Sequence, residues 1–530
     1  MTGRAPGLPP PARTARRYPR AAVCSPDYLA SSAGLATLAR GGNALDAVVA
    51  ANLVLAVVAP YFCGVGGDVF AIVHDPRDGS AHGYLGAGRA ASAASAEDLR
   101  RAGHDRMPAV GPHTVTVPGA VDGWFALLDR FGTLPFGDVA ADAVALARGG
   151  FPMSAYGARA TRVAAPLYVE YPAWRAAHGG VGEGETVRRP ALARLLEELA
   201  AGGRDAYYRG AVAEAIARTV REAGGPLDAS DLAAHRGEWA EPIAARYRDV
   251  EVLELPPPTQ GVTALEALRI LDGFPPAAGA PAGLDATHLA VEAVKLALAD
   301  RDAHLGEPAG MAVAAPELIG ELWVEARRAA VDPARAGAPG PARPQSGGTA
   351  YLCAADEAGM LVSLIQSNFL GFGSGLHVPE WGIDLHGRGA SFTLDEGTAN
   401  RLGPSVRPLH TLIPALARRD GRPWLVFGTM GADAQPQVQV QVLRSVVDAG
   451  DDPQCALDRP RWRVDLSTGN LHVEEGTGTD RVDGLRRRGH RVVVDPAGDP
   501  GFGHAHAIEI GPAGYAAATD PRAEGAAVGL

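Results

Sequence analysis

The amino-acid sequence predicts an α+β protein, and three observations carry that prediction. Residues 115–325 are dominated by apolar side chains at helical spacing. A Pro/Gly-rich stretch, Val331–Gly348, then interrupts the chain. Beyond it, short apolar runs alternate with Gly turns as far as Ile510, the texture of strands. The order is helix-rich, linker, strand-rich, with no internal repeat.

The elements follow in order. Met1–Arg20 is rich in Pro and Arg and lacks the apolar core of a secretory signal, so a disordered leader is expected over residues 1–28. Leu29–Ala39 has helical spacing and ends at Gly41-Gly42-Asn43. Asn43 or its neighbours can cap the next helix, which stops at Pro60. The apolar run Ala47–Pro60 is too short to cross ~30 Å of hydrocarbon and reads as a buried core helix. A turn, Gly64-Val65-Gly66-Gly67-Asp68, leads into a strand at Val69–Val73 and a hairpin at Pro76–Gly79. Glycines before a strand do not make a dinucleotide fingerprint; they permit close backbone packing.

Helices are expected at Gly119–Phe131, Phe136–Arg148, Pro190–Ala201, Ala211–Ala223, Thr287–His304 and Leu318–Ala330. Within Thr287–His304, His288, Glu292 and Lys295 share one face and read as a solvated stripe. Arg248–Leu255 reads as a strand entering the stiff loop Pro256–Gly261. After the linker, Tyr351–Ala355 and Met360–Ser367 form a hairpin across Asp356–Gly359. Gln435–Gln439 reads as a polar-alternating strand, and Trp381 and Trp424 as packing residues.

Charge and cysteine content narrow the function. Forty-nine basic against 60 acidic residues give −11, the wrong sign for a nucleic-acid binder. Lys295 is the one lysine, so anionic ligands must be held by Arg or backbone N–H groups. Cys24, Cys63, Cys353 and Cys455 stand far apart and outline neither a disulfide framework nor a zinc site. His504 and His506 share a strand face but lack further ligands, so no metal or cofactor is expected. The chain reads as soluble and cytoplasmic, with no nucleic-acid or membrane partner.

The junction Gly347-Gly348-Thr349 carries the chemistry. A hydroxyl residue opens a buried strand directly after a loop that could be cut away. Cleavage between Gly348 and Thr349 would give Thr349 both a nucleophilic Oγ and a free α-amine, whose ordinary pKa of ~7.7–8 suits a general base.

Nine segments resemble the gamma-glutamyltranspeptidase family of N-terminal nucleophile (Ntn) hydrolases, in that family's order. They are Gly41–Ala47, Gly64–Gly67, Val117–Gly119, Pro256–Pro258, Glu292 with Ala299–Arg301, Phe372–Gly375, Arg407-Pro408, Gly428–Gly431 and Pro460-Arg461. The resemblance implies a four-layer αββα sandwich, made as a precursor and self-cleaved. The large fragment would be 29–348, ending in the flexible linker 331–348, and the small one 349–530. It places the nucleophile on Thr349, a supporting hydroxyl on Ser367, and oxyanion-binding N–H groups on Gly431 and Ala432. Simple hairpin counting sets residue 366 opposite Thr349, with Ser367 next to it.

Departures from the family pattern bear on substrate. The family's arginine for the glutamyl carboxylate is replaced by Ala87, with Arg89 two residues on. Its aspartate for the α-amino group falls on Ser391, its Asn on Phe369, its Gln on Arg388, and its Ser-Ser pair on His410-Thr411. A cation is gained and the ammonium's partner lost, and burying an unpaired ammonium is costly. The residues fit an acyl donor with a carboxylate and no ammonium, such as an oxamate- or glutaryl-type amide, better than glutathione. The partners implied are a small-molecule amide or γ-glutamyl donor, an amino-acid acceptor if acyl transfer occurs, and the two fragments as a heterodimer; a higher oligomer is left open.

Overall fold

The computed structural model describes residues 13–275, 283–338 and 348–530. Two seven-stranded sheets form its middle. In chain order their strands are β1 (Arg16–Tyr18), β2 (Ala22–Ser25), β3 (Asp68–Asp75), β4 (Ser80–Gly86), β5 (Glu238–Ala240), β6 (Ile243–Tyr247) and β7 (Val250–Glu254). Then come β8 (Gly348–Ala355), β9 (Leu361–Phe369), β10 (Ala415–Arg419), β11 (Arg422–Thr429), β12 (Ala505–Gly511), β13 (Gly514–Thr519) and β14 (Ala526–Gly529). Sheet I runs β1-β13-β12-β11-β10-β7-β6, and sheet II runs β14-β2-β8-β9-β3-β4-β5.

Side-chain alternation along β8 separates the layers. Tyr351, Cys353 and Ala355 face inward, where Phe70, Ile72 and Ile365 of sheet II meet Leu253, Leu416, Val426 and Ile508 of sheet I. Ala350, Leu352 and Ala354 face outward, into the core shared with helices α1 (Tyr28–Ala39) and α2 (Ala44–Val58). A third helix packed against that core is α3 (Ala155–Ala164). The outer face of sheet I is covered by α4 (Gly261–Asp272), α5 (Leu284–His304) and α6 (Ala434–Ala449). Three cores between four layers make the αββα sandwich.

Four expectations are corrected. Residues 1–12 of the leader lie outside the described residues, but β1 and β2 fall within 1–28, and Ala22, Val23 and Cys24 are fully buried. Flanking prolines and a run of four residues hid β2, which pairs directly with β8.

The Gln435–Gln439 segment is helical, in α6. Glutamine is a good helix former, and Pro436 sits in the first turn, where its missing N–H costs nothing. The amides of Gln437 and Gln439 reach across to the carbonyls of Val464 (3.2 Å) and Ile413 (2.7 Å).

His288, Glu292 and Lys295 form no solvated stripe; all three are buried. Glu292 accepts from Lys295 Nζ (2.8 Å) and from the Gly337 N–H (2.8 Å), while Lys295 also donates to the Gly337 carbonyl (3.2 Å). That clamp pins the first part of the expected linker, so the stretch expected to be flexible from residue 331 is held at Gly337. Residues 339–347 lie outside the described residues. Among the described residues no helix is long and apolar enough to cross a membrane.

α2 is buried on every side, and its entry depends on one carboxylate. Asn43 caps the helix, and Asp46 answers with a bond from the Asn43 N–H (3.0 Å), completing a capping box. Asp46 also accepts from the Thr133 N–H (3.1 Å), the Leu134 N–H (3.4 Å) and the Thr133 hydroxyl (2.5 Å). Asp46→Ala removes the shared acceptor of these part-buried donors and is expected to cost ~1–3 kcal/mol. The measurement is the urea midpoint, with Asp46→Asn expected to recover part of the loss.

Candidate active site

Thr349 and Ser367 meet on the inner face of sheet II, at the open end of the β8–β9 hairpin. The connecting loop is Asp356–Met360, so Ala355 pairs with Leu361 and Ala350 with Gln366. That register carries Ser367, not residue 366, opposite Thr349; the loop is one residue longer than hairpin counting assumes. A bulge between Gly348 and Ala350 brings Gly348 opposite Phe369 and frees the Thr349 side chain from regular pairing. Thr349 is fully buried, and its Oγ donates to Ser367 Oγ at 3.1 Å.

Ser367 is the hub. Its Oγ donates to the Gly348 carbonyl (2.7 Å) and receives the Phe369 N–H (2.8 Å) and Arg388 Nη2 (3.1 Å). Three donors converge on an oxygen with two lone pairs. The two N–H donors are fixed in direction, so the Thr349 hydroxyl is the one free to turn away.

Arg388 is fully buried, with Nη1 on Thr411 Oγ (3.2 Å) and its guanidinium 4.7 Å from the Phe369 ring centroid. Phe369 adopts φ 75°, a strained conformation for a non-glycine residue, and this places its ring under the guanidinium. Among the described residues no carboxylate lies within 4 Å of Arg388, and its Nε has no partner. Burial pulls its pKa down to about 10, opposed by the charge of Asp68.

Asp68 opens β3 and is fully buried, accepting from His410 Nε2 (2.9 Å) and the Gly119 N–H (3.1 Å), with His386 Nδ1 at 3.4 Å. The remaining ring nitrogens of His410 and His386 face the carbonyls of Pro408 (2.8 Å) and Thr116 (3.0 Å). His410 donates its Nε2–H to the Asp68 carboxylate, but burial outweighs that bond and pulls the imidazole's pKa down to about 4, so the ring is neutral near pH 7. Burial opposes ionisation of Asp68, but the charges of His386, His410 and Arg388 and the His410 hydrogen bond win, holding its carboxyl at about 2. The glycine turn before Asp68 packs without side chains: a Cβ on Gly67 would lie 2.6 Å from the Ser367 carbonyl.

Gly431 and Ala432 sit between β11 and the N-terminus of α6. Among the described residues neither N–H is hydrogen-bonded. Ala432 holds φ 52°, a glycine-like conformation kept in place by Gln260, whose Nε2 donates to the Ala432 carbonyl (2.9 Å) and the Thr411 carbonyl (3.0 Å). Two free donors at the positive end of a helix form a ready anion site. Met430, next to them, lines the same cavity as Gly348.

The other residues singled out from sequence fall elsewhere. Ser391 spends its hydroxyl on the Arg388 and Leu409 carbonyls (both 2.9 Å), bracing the turn that carries Arg388. Arg89 is half exposed and bonds Glu307 (3.4 Å) and the Ser405 carbonyl (3.0 Å); none of its hydrogen bonds reaches the Thr349 cluster. His504 and His506 are buried but join no group of three metal-ligating side chains among the described residues. One such group, His178–His377–Asp384, spends itself internally: both imidazoles bond the same Asp384 oxygen, at 2.9 and 2.8 Å. Asp68, His386 and Gln260 escaped the sequence reading. A charge opening an otherwise apolar strand was the available signal for Asp68.

The depressed Asp68 carboxyl has a stability consequence. Its ordinary value is 3.8, so its contribution is complete above that and is lost as pH falls through about 2. The gap in urea midpoint between wild type and Asp68→Asn is expected to be constant above about pH 5 and to shrink steadily toward pH 2.

A family model described as gamma-glutamyltranspeptidase matches residues 30–530. The chain is 36% identical over 519 residues to the glutathione hydrolase-like YwrD proenzyme of Bacillus subtilis (strain 168), covering 96% of this chain and 98% of that one. It is also 36% identical over 525 residues to the oxamate amidohydrolase proenzyme of Klebsiella pneumoniae, covering 95% and 97%. The crystal structure of a cephalosporin acylase from Bacillus halodurans superposes with a TM-score of 0.93 at 34% identity, covering 100% of this chain and 99% of that one. With the layered sheets and a threonine at the head of β8, these matches place the chain in the gamma-glutamyltranspeptidase family of N-terminal nucleophile hydrolases.

Proposed function

We propose that the protein is a self-processing amidohydrolase whose nucleophile is Thr349 and whose acyl donor carries a carboxylate. The observation that carries this reading is the Ser367 hydroxyl, bonded at once to the Thr349 nucleophile (3.1 Å) and the Gly348 carbonyl (2.7 Å). In processing, Thr349 Oγ adds to the Gly348 carbonyl carbon, with Ser367 polarising its oxygen. The C–N bond breaks, the Thr349 nitrogen takes the hydroxyl proton, and an ester joins Gly348 to Oγ. Water then hydrolyses the ester, leaving a carboxylate on Gly348 and a free α-amine on Thr349.

In turnover the α-amine accepts the Oγ proton as Oγ attacks the substrate amide. The N–H groups of Gly431 and Ala432 hold the oxyanion, and the departing amine takes the proton. Water resolves the acyl-enzyme, or an amine does so in transfer.

Arg388 supports the acidic donor. A buried guanidinium met, among the described residues, only by hydroxyls and a ring is a charge awaiting its counter-ion, and it lies one hydroxyl from the nucleophile. His410 is already committed to Asp68, so neither residue is left for a substrate ammonium. The oxamate amidohydrolase relative acts, by its name, on an acid amide of this kind.

Two expectations follow. On a denaturing gel the purified protein resolves into two fragments, the lighter beginning at Thr349 by intact mass; Thr349→Ala stays whole, and Ser367→Ala cleaves at least ~10-fold more slowly. A light fragment with any other first residue would falsify the assignment. Arg388→Gln, which keeps an N–H donor for Ser367, lowers kcat/KM for glutaryl and oxamyl amides by ~10²-fold, well beyond its effect on neutral amides of equal length. Equal losses would restrict Arg388 to supporting Ser367.

A further inference from the structure

A second cavity wall borders the cleavage point. About 450 Å³ of open space lies between α3, the following turn Ala165–Tyr168, and the Gly348–Met430 end of the sandwich. Its lining includes Tyr61, Phe62, Tyr156, Leu167, Tyr168 and Met430. The aromatic rings brace one another: Tyr61 lies 4.7 Å from Phe62, and Tyr156 lies 5.7 and 5.3 Å from the two. Behind them His504 meets Phe62 (5.7 Å) and Tyr156 (5.4 Å) edge-on. Burial lowers its pKa to about 4, so the rings rest on a neutral side chain. At the rim, Val163 is 71% exposed, an apolar residue that folding leaves in water.

The position of this cavity decides what it can receive. A larger cavity of about 810 Å³ meets it at Leu370, and that one is lined by Phe369 and Ser391, on the Arg388 side, and by Asp105, Arg106 and Asp395. The apolar cavity shares Leu370 with it but lacks Phe369 and Ser391, and is lined instead by Gly348 and by Met430, the residue before Gly431. An amide whose acyl carboxylate meets Arg388 therefore directs its nitrogen substituent away from Arg388, toward the aromatic wall.

We infer that this wall is a subsite for the amine half of the substrate, and that the substrate class is an acidic acyl group joined to an aromatic or bulky apolar amine. The inference rests on the acidic-donor reading above. The volume suits one ring system with a short linker. The residues offer no charge to an amino-acid carboxylate except Arg159 and Asp499 at the cavity's edge, which oppose each other in sign.

The test uses the processed protein and glutaryl amides of methylamine, butylamine, benzylamine and phenethylamine, alkylamines of similar basicity. kcat/KM is expected to rise roughly 10- to 100-fold from methyl to phenethyl, as burial of a phenyl group predicts. In Leu167→Asp and Val163→Asp the phenethyl-to-methyl ratio falls toward one. A flat series, or a ratio that survives both substitutions, overturns the subsite. If only neutral phenethyl amides are hydrolysed, the acidic-donor reading fails, and the subsite stands or falls on the same ratio. If no amide is hydrolysed, saturation-transfer NMR with phenethylamine alone decides. A ring-proton signal that vanishes in Leu167→Asp supports the subsite; an absent or unaltered signal removes it.

Discussion

The hydrogen bonds of one serine hydroxyl organise this molecule's chemistry. Ser367 Oγ joins the Thr349 hydroxyl, the Gly348 carbonyl, the β9 backbone and a buried cation within 3.1 Å. The partners arrive from three parts of the fold, with Gly348 and Thr349 adjacent on one strand. Thr349 comes from the head of β8, the N–H of Phe369 from the end of β9, and Arg388 from the turn beyond it. The bulge that breaks β8–β9 pairing at this point is what lets two side chains and a main-chain carbonyl converge. A regular ladder would have spent the Gly348 carbonyl on a strand partner.

Around that hub the protein maintains groups that are unfavourable in isolation. Among the described residues Arg388 is buried with no carboxylate within 4 Å, Phe369 and Ala432 hold left-handed backbone, and the main-chain N–H groups of Gly431 and Ala432 have no acceptor. Such features persist only where the surroundings over-determine them. Here the Asp68–His410 pair and the Gln260 amide, both from segments remote in sequence, and the local Ser391 brace fill that role. Near Thr349 the buried charges are the Asp68 carboxylate and the Arg388 guanidinium, and each favours the other's ionised form.

Much of this was legible in the chain. The Thr349 hydroxyl at the head of an apolar strand, the Gly-rich turn and the capped α2 all depend on local spacing, which the sequence displays; Ser367 was implied by the family resemblance, since hairpin counting set residue 366 opposite Thr349. The failures share a cause. Glutamines in α6 look like an alternating strand because their amides serve neighbouring strands, and those contacts are long-range. His288, Glu292 and Lys295 look solvated because the segment that buries them, around Gly337 and His490, lies about 40 residues or more away.

Periodicity and residue chemistry by themselves determined most of the helices and strands and where a nucleophile could arise, while the family resemblance implied that a cation, Arg388, replaces the usual polar residue near it. Only the tertiary structure decided that Ser367 faces Thr349, that Arg388 rather than Arg89 touches this pair, and that His410 hydrogen-bonds Asp68. Register, burial and charge pairing depend on which distant segments share a face. A one-residue change in a loop reverses which face that is, and no local pattern in the chain encodes it.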